Sequence, residues 1–112
     1  MIKATFYQRT DRSYAGFAVR DHAGAADAGE DIVCAAVSAL VTNTVNSLEK
    51  LTEDEFSVHI DEEDAVIEVS FSERPSEAAD LLMRSLALGL TGVESEPSYQ
   101  NYIDVIFEEV LS

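Results

Sequence analysis

A chain of 112 residues holds one hydrophobic core, and dividing it would leave pieces too small to fold without disulfides or metals. With 46% hydrophobic and 26% charged residues, it reads as one folded domain over residues 1–112 and not as a disordered chain. Its 22 acidic against 7 basic side chains give a net charge of −15, which repels nucleic-acid phosphates and anionic lipid, disfavours direct nucleic-acid binding and attracts basic partners.

One cysteine cannot close an internal disulfide, and one thiol with two histidines is too few for a zinc cluster of the usual spacing. No metal or cofactor is expected, and the cytoplasm is the expected compartment. The opening residues MIKATFYQR alternate like a strand and lack a signal peptide's apolar stretch, and no run reaches the roughly 18 apolar residues of a membrane span. No membrane association is expected.

Ile2, Ala4 and Phe6 alternate on one face, as do Ala15, Phe17 and Val19, with polar Thr10 to Ser13 between them, which predicts a hairpin. From Asp21 to Glu30 the pattern dissolves into small residues, including Ala23, Gly24 and Gly29, with nothing large to anchor them; this predicts a mobile loop. Asp31 then suits the cap of a helix from about Ile32 to Leu51. In that helix Val33, Val37, Leu40, Thr44, Leu48 and Leu51 make a core-facing stripe, and Cys34, Ser38, Val41 and Val45 a second row beside it.

Phe56, Val58 and Ile60, then Ile67, Val69 and Phe71, predict a second hairpin turning through the acidic run Asp61 to Asp64. Pro75 and Ser76 start a second helix carrying Ala78, Leu82, Leu86, Leu90 and Val93, with Gly92 and Pro97 as stopping residues. Ile103, Val105 and Phe107 alternate inward in a fifth strand. The order ββαββαβ predicts a two-layer α+β fold, two helices packed on a mostly antiparallel sheet of about five strands. The second row of the first helix, or the sheet's other face, then needs a cover, and a second copy in a homodimer is the simplest.

For chemistry, Cys34 would be the third residue of a helix capped at Asp31, close to the positive end of the macrodipole and to unpaired first-turn amides. A thiol with a pKa of about 8.5 is only slightly ionised at neutral pH, so a neighbouring imidazole multiplies its reactive fraction. His22, where the second strand gives way to the loop, can supply that imidazole. Asp31 can cap the helix or orient the histidine ring. Ser38, one turn beyond Cys34, can orient substrate or return its hydroxyl to a backbone carbonyl. A buried thiol can equally be a small core residue. His59 falls on the polar alternation of its strand and stays outside the site.

The run His22-Ala23-Gly24-Ala25-Ala26-Asp27-Ala28-Gly29-Glu30-Asp31-Ile32-Val33-Cys34-Ala35-Ala36-Val37-Ser38 resembles the signature of the ribosomal-processing cysteine protease family, Prp. The MIKATFY start, the Leu48 region and the Gly89-Leu90 segment closing the second helix extend the resemblance over essentially the whole chain. It implies a homodimeric α+β protease of Firmicutes-type bacteria that removes a short N-terminal extension from a basic large-subunit ribosomal protein. By the same resemblance His22 and Cys34 match the catalytic dyad, Asp31 and Ser38 the remaining motif positions, and the loop between them the segment that moves for substrate entry. Asp21 stands where the family commonly has glycine, and Tyr99-Gln100-Asn101-Tyr102 lacks a proline expected after its first tyrosine.

The expected chemistry is acyl transfer, with His22 drawing the proton from Cys34, sulfur attacking a peptide carbonyl, and first-turn amides of the Ile32 helix holding the oxyanion. The alternative is a non-enzymatic acidic binding module, an assembly chaperone for a basic ribosomal protein, with Cys34 merely packed. A redox sensor is a third reading, weakened by the lack of a resolving cysteine.

Overall fold

The computed structural model describes residues 1–20 and 28–111, with backbone only for 28–30. Strands β1 (Ile2–Gln8) and β2 (Tyr14–Arg20) lead to helix α1 (Ala28–Leu51); β3 (Phe56–Asp61), β4 (Val66–Phe71), α2 (Glu77–Ser95) and β5 (Ile103–Glu109) follow. The expected ββαββαβ order and two-layer α+β class are those of the molecule.

The sheet runs β3-β4-β2-β1-β5, antiparallel except for β5, which lies parallel to β1. Register puts Phe6 opposite both Phe17 and Phe107, and Val19 opposite both Ala4 and Ile67, so one parity in every strand forms a single apolar face. Phe6, fully buried, is the hub, with its ring 5.5 Å from Phe107, 5.9 Å from Tyr14 and 6.0 Å from Phe17. Val33, Val37, Val41 and Leu48 of α1 and Ala79, Met83, Leu86 and Leu90 of α2 join that face in one core.

The opposite parity carries Lys3, Thr5, Arg20, Glu68, Ser70, Ser57 and His59, and Arg20 bridges Glu68 at 2.8 Å across it. The same face also carries Tyr7, Ile106 and the buried Ala18 and Val66, so it is mixed polar and apolar. Gly16 permits the tight β2–β4 approach: a β carbon there would run into the Val69 carbonyl oxygen, at a φ of +156° that disfavours any side chain, next to the irregularity at Tyr7/Gln8.

Three sequence expectations need correction. Helix α1 begins at Ala28, four residues before Ile32, so Gly29 and Glu30 belong to the helix and not to the loop. Ala28 and Glu30 are good helix formers, and one interior glycine costs only about 1 kcal/mol against a helix anchored by a long buried stripe. Helix α2 runs through Gly89 and Gly92 to Ser95, where the extended Glu96 precedes Pro97. Gly89 has a packing reason, since a β carbon would meet Leu40 Cδ1 of α1 at 3.3 Å; nothing in the structure explains glycine at 92. Ala78 lies exposed, and Ala79 and Met83 take the inward positions beside Leu86 and Leu90.

Over Asp31–Leu51, α1 is long and apolar enough by composition alone to cross a membrane, which counting consecutive apolar residues overlooks. Its apolar row instead packs on the sheet and α2, as in the core helix of a two-layer domain.

Candidate active site

Three-and-four spacing brings Cys34, Ser38 and Val41 to one edge of α1, beside the buried Val33 and Val37 that fix the helix to the sheet. Cys34 is half-buried, Ser38 exposed and Val41 buried. That edge overhangs a cleft of about 260 Å³ lined by Cys34, Ser38, Val41 and Thr42 on the helix side and by Val19, Ile60 and Ile67 of the sheet. The cleft exists because α1 lies over the middle of the sheet and leaves the edge strand β3 uncovered, with Val58 39% and Ile60 61% exposed on the helix side. Asp61 and Glu62, at the tip of the β3–β4 hairpin, close one end of it.

Of the sequence-predicted residues, the structure brings Cys34 and Ser38 together on one wall. Asp31 is exposed and lies outside the lining. His22, Ala23 and Gly24 lie outside the described residues, and Gly29 is the second residue of α1.

The earlier start of α1 changes the electrostatics of the thiol. Asp31 is the fourth helical residue and so not the cap, and Cys34 is the seventh and so in the second turn. The four amides a helix leaves without partners lie at its beginning, ahead of Ile32, and the macrodipole's influence fades within the first turn. The expectation that first-turn amides of an Ile32 helix flank the sulfur is therefore withdrawn.

Sequence reasoning missed the far wall. The acidic run at Asp61 to Asp64 was visible as a turn, but its position across from Cys34 follows from a strand order, β3-β4-β2, that linear spacing does not carry. Asp61 Oδ1 accepts from the Asp64 backbone N–H at 3.1 Å and holds the turn in shape.

A thiol on the rim of an open, largely apolar cleft, with a hydroxyl one helical turn away, on a two-layer α+β scaffold, offers the nucleophile of a thiol-dependent enzyme. The chain belongs to the cysteine protease Prp family, whose model matches residues 1–104, and it is a cysteine protease. It is similar to the Ribosomal processing cysteine protease Prp of Bacillus subtilis (strain 168), 30% identical over 100 residues that span 86% of this chain and 89% of that protein. Among solved structures, SMU.848 from Streptococcus mutans superposes with a TM-score of 0.86 at 29% identity, covering 98% of this chain and 99% of that one. The essential ribosomal processing protease Prp from S. aureus, in complex with a substrate peptide, shares the fold at a TM-score of 0.89 and 21% identity, covering 96% and 100%. Family membership sets aside the non-enzymatic alternative.

Proposed function

We propose that this protease removes the N-terminal extension of a basic large-subunit ribosomal protein in the cytoplasm, through a dyad of Cys34 and His22. The observation that carries the reading is the placement of Cys34 on an open cleft in a chain of the Prp family. Val19, which precedes His22 by three residues in the sequence, lines the same cleft. The names of two of the relatives, those of Bacillus subtilis and S. aureus, are of ribosomal processing proteases and support the substrate class.

In this mechanism His22 takes the thiol proton, and the thiolate attacks the scissile carbonyl to give a tetrahedral oxyanion. Collapse expels the amine, which leaves with the proton from the imidazolium, and water attacks the thioester to free the new carboxyl end and restore the thiol. Since Cys34 stands a full turn inside the helix, thiolate formation rests on the imidazole more than on the macrodipole. Ser38, a turn along the same wall, orients the substrate backbone, and Asp31 holds the imidazole ring.

Leu81 and Leu88, 56% and 75% exposed and seven residues apart on the outer face of α2, support a homodimer, since they offer a second copy an apolar row. Leu88→Glu is expected to shift a dimer to monomer in light scattering.

The test of the whole reading is cleavage of a peptide spanning the N-terminal extension of the host's large-subunit ribosomal protein. Wild type is expected to cut it, and Cys34→Ala and His22→Ala to lose cutting while retaining the native circular dichroism spectrum. Full activity in His22→Ala would remove the dyad.

A further inference from the structure

Among the described residues β3 is one edge of the sheet, with β4 as its strand neighbour. Backbone groups alternate in direction along an antiparallel strand, so at an edge every second residue turns its N–H and C=O away from the sheet. Two observations identify those residues in β3. At the open end of the hairpin the Ser72 amide donates to the Glu55 carbonyl at 3.4 Å, and on the other side of β4 the Val69 carbonyl oxygen lies against Gly16 of β2. Ser72, Ser70, Glu68 and Val66 therefore bond toward β3, where Ser57, His59 and Asp61 stand opposite the last three. The N–H and C=O groups of Val58 and Ile60 then point outward at the open edge. Their side chains lie on the α1 side of the sheet, 39% and 61% exposed, and Ile60 lines the Cys34 cleft. A second hollow, lined by Phe56, Val58 and Glu49 of α1, continues along the strand.

We propose that the substrate segment on one side of the scissile bond binds as an added strand along the edge of β3, its backbone bonded to that of Val58 and Ile60 and its alternate side chains packed on theirs. The inference rests on Cys34 being the nucleophile of the proposed reaction. The cleft has the sulfur on one wall and Ile60 on the other, so a chain held for cutting leaves the cleft beside this edge. There it meets outward-facing backbone donors and acceptors next to exposed apolar side chains, the combination that strand addition uses: main-chain bonds supply affinity and alternate side chains supply selectivity. Charge chooses the occupant. Asp54 and Glu55 stand at one end of β3, and Asp61 and Glu62 at the other, so the same edge of a second copy, laid in either direction, would bring carboxylates against carboxylates. A segment of a basic protein meets no such repulsion.

The experiment uses the full chain and the ribosomal-protein extension peptide, with a single backbone N-methyl group moved outward from the scissile bond one residue at a time on each side. The scissile amide itself stays unmodified. Each N-methyl group removes one donor and adds the same bulk, so only position differs between peptides. On one side of the bond, kcat/KM is expected to fall about tenfold at every second residue and by less than about threefold at the residues between, the period of an added strand. Val58→Pro removes an N–H that β4 does not use, at an edge where proline is tolerated. It is expected to lower kcat/KM about tenfold while iodoacetamide alkylates Cys34 at the wild-type rate. Should that variant fail to fold, the peptide scan, made on the wild-type enzyme, decides alone. An even effect of N-methylation along both sides, or none, overturns the proposal and leaves the protease standing. If the unmodified peptide is not cut, the ribosomal-protein reading fails and the proposal falls with it.

Discussion

The two helices lie side by side on one sheet, yet they are held in different ways. Helix α2 is tied at both ends to the rest of the molecule. Its cap Ser76 accepts from the Ala79 amide at 3.1 Å and donates its own N–H and hydroxyl to Asp54 at 2.7 and 2.5 Å. Asp80 Oδ1 accepts from the Tyr14 amide of β2 at 3.1 Å, and Glu94 Oε2 accepts from the Val105 amide of β5 at 2.6 Å. Burial, and then the neighbouring Asp80 carboxylate, push the Tyr14 phenol above its ordinary range against the opposing charge of Arg84. Thr44 of α1, and Thr52 just beyond its end, return their hydroxyls to carbonyls of α1 at 2.8 and 2.6 Å, and its grip on the fold is the buried valine and leucine stripe. The row bearing Cys34 and Ser38 is thereby left to the cleft. The polar ties are concentrated in α2, and Cys34 sits on the edge of α1 where the core borders the cleft.

The sharpest way to break that division is to substitute one residue from each helix. Cys34→Ala is expected to lower peptide cleavage by roughly a thousandfold or more, with thermal stability changed by about 1 kcal/mol or less, because the half-buried sulfur leaves little cavity. Leu90→Ala, at a fully buried position of α2, should cost about 3 kcal/mol while activity per folded molecule survives. Paired melting curves and kcat/KM values check both. If Cys34→Ala melted as early as Leu90→Ala, the thiol would be a core residue and the separation would not exist.

Gly16→Ala extends the comparison to the backbone. A β carbon there meets the Val69 carbonyl oxygen, so either the β2–β4 pairing opens or the strand shifts, and a loss of about 2 to 4 kcal/mol in urea unfolding is expected. Since Val19 of β2 lines the cleft, this variant should also weaken cleavage through misplacement of that wall, whereas Leu90→Ala should not.

Alternation and helical spacing made the seven elements legible, because each strand buries one parity and α1 its predicted stripe through Val33, Val37, Thr44 and Leu48. Leu51, the last residue of α1, is 73% exposed and falls outside the buried stripe. The helix start was misread because Asp31 is a good cap by residue type, and residue type does not show that Ala28 to Glu30 already continue the helix. At the site, Cys34 and Ser38 were legible by local spacing, as one helical turn fixes them together. Asp61, Glu62 and Ile67 were not, since their approach to Cys34 is a tertiary consequence of β4 pairing with β2.

The smallest expected effect sharpens the account of how α2 is tied. Burial raises the Asp54 carboxyl, but bonds from the Ser76 hydroxyl and amide and from Thr52 outweigh it, and the pKa lies below its ordinary 3.8. A carboxyl depressed in the folded state contributes stability in full above its unfolded value, and loses that contribution as the pH falls from there through the depressed one. Ser76→Ala removes both the α2 cap and the hydroxyl bond to Asp54, and should cost about 1 to 2 kcal/mol at neutral pH. The cost should shrink as the pH drops through the acid range, because wild type there loses the Asp54 contribution that the variant already lacks in part. Urea unfolding of both proteins at neutral and acid pH measures the difference. A cost that stayed constant with pH would assign the whole effect to the cap and none to the charged tie.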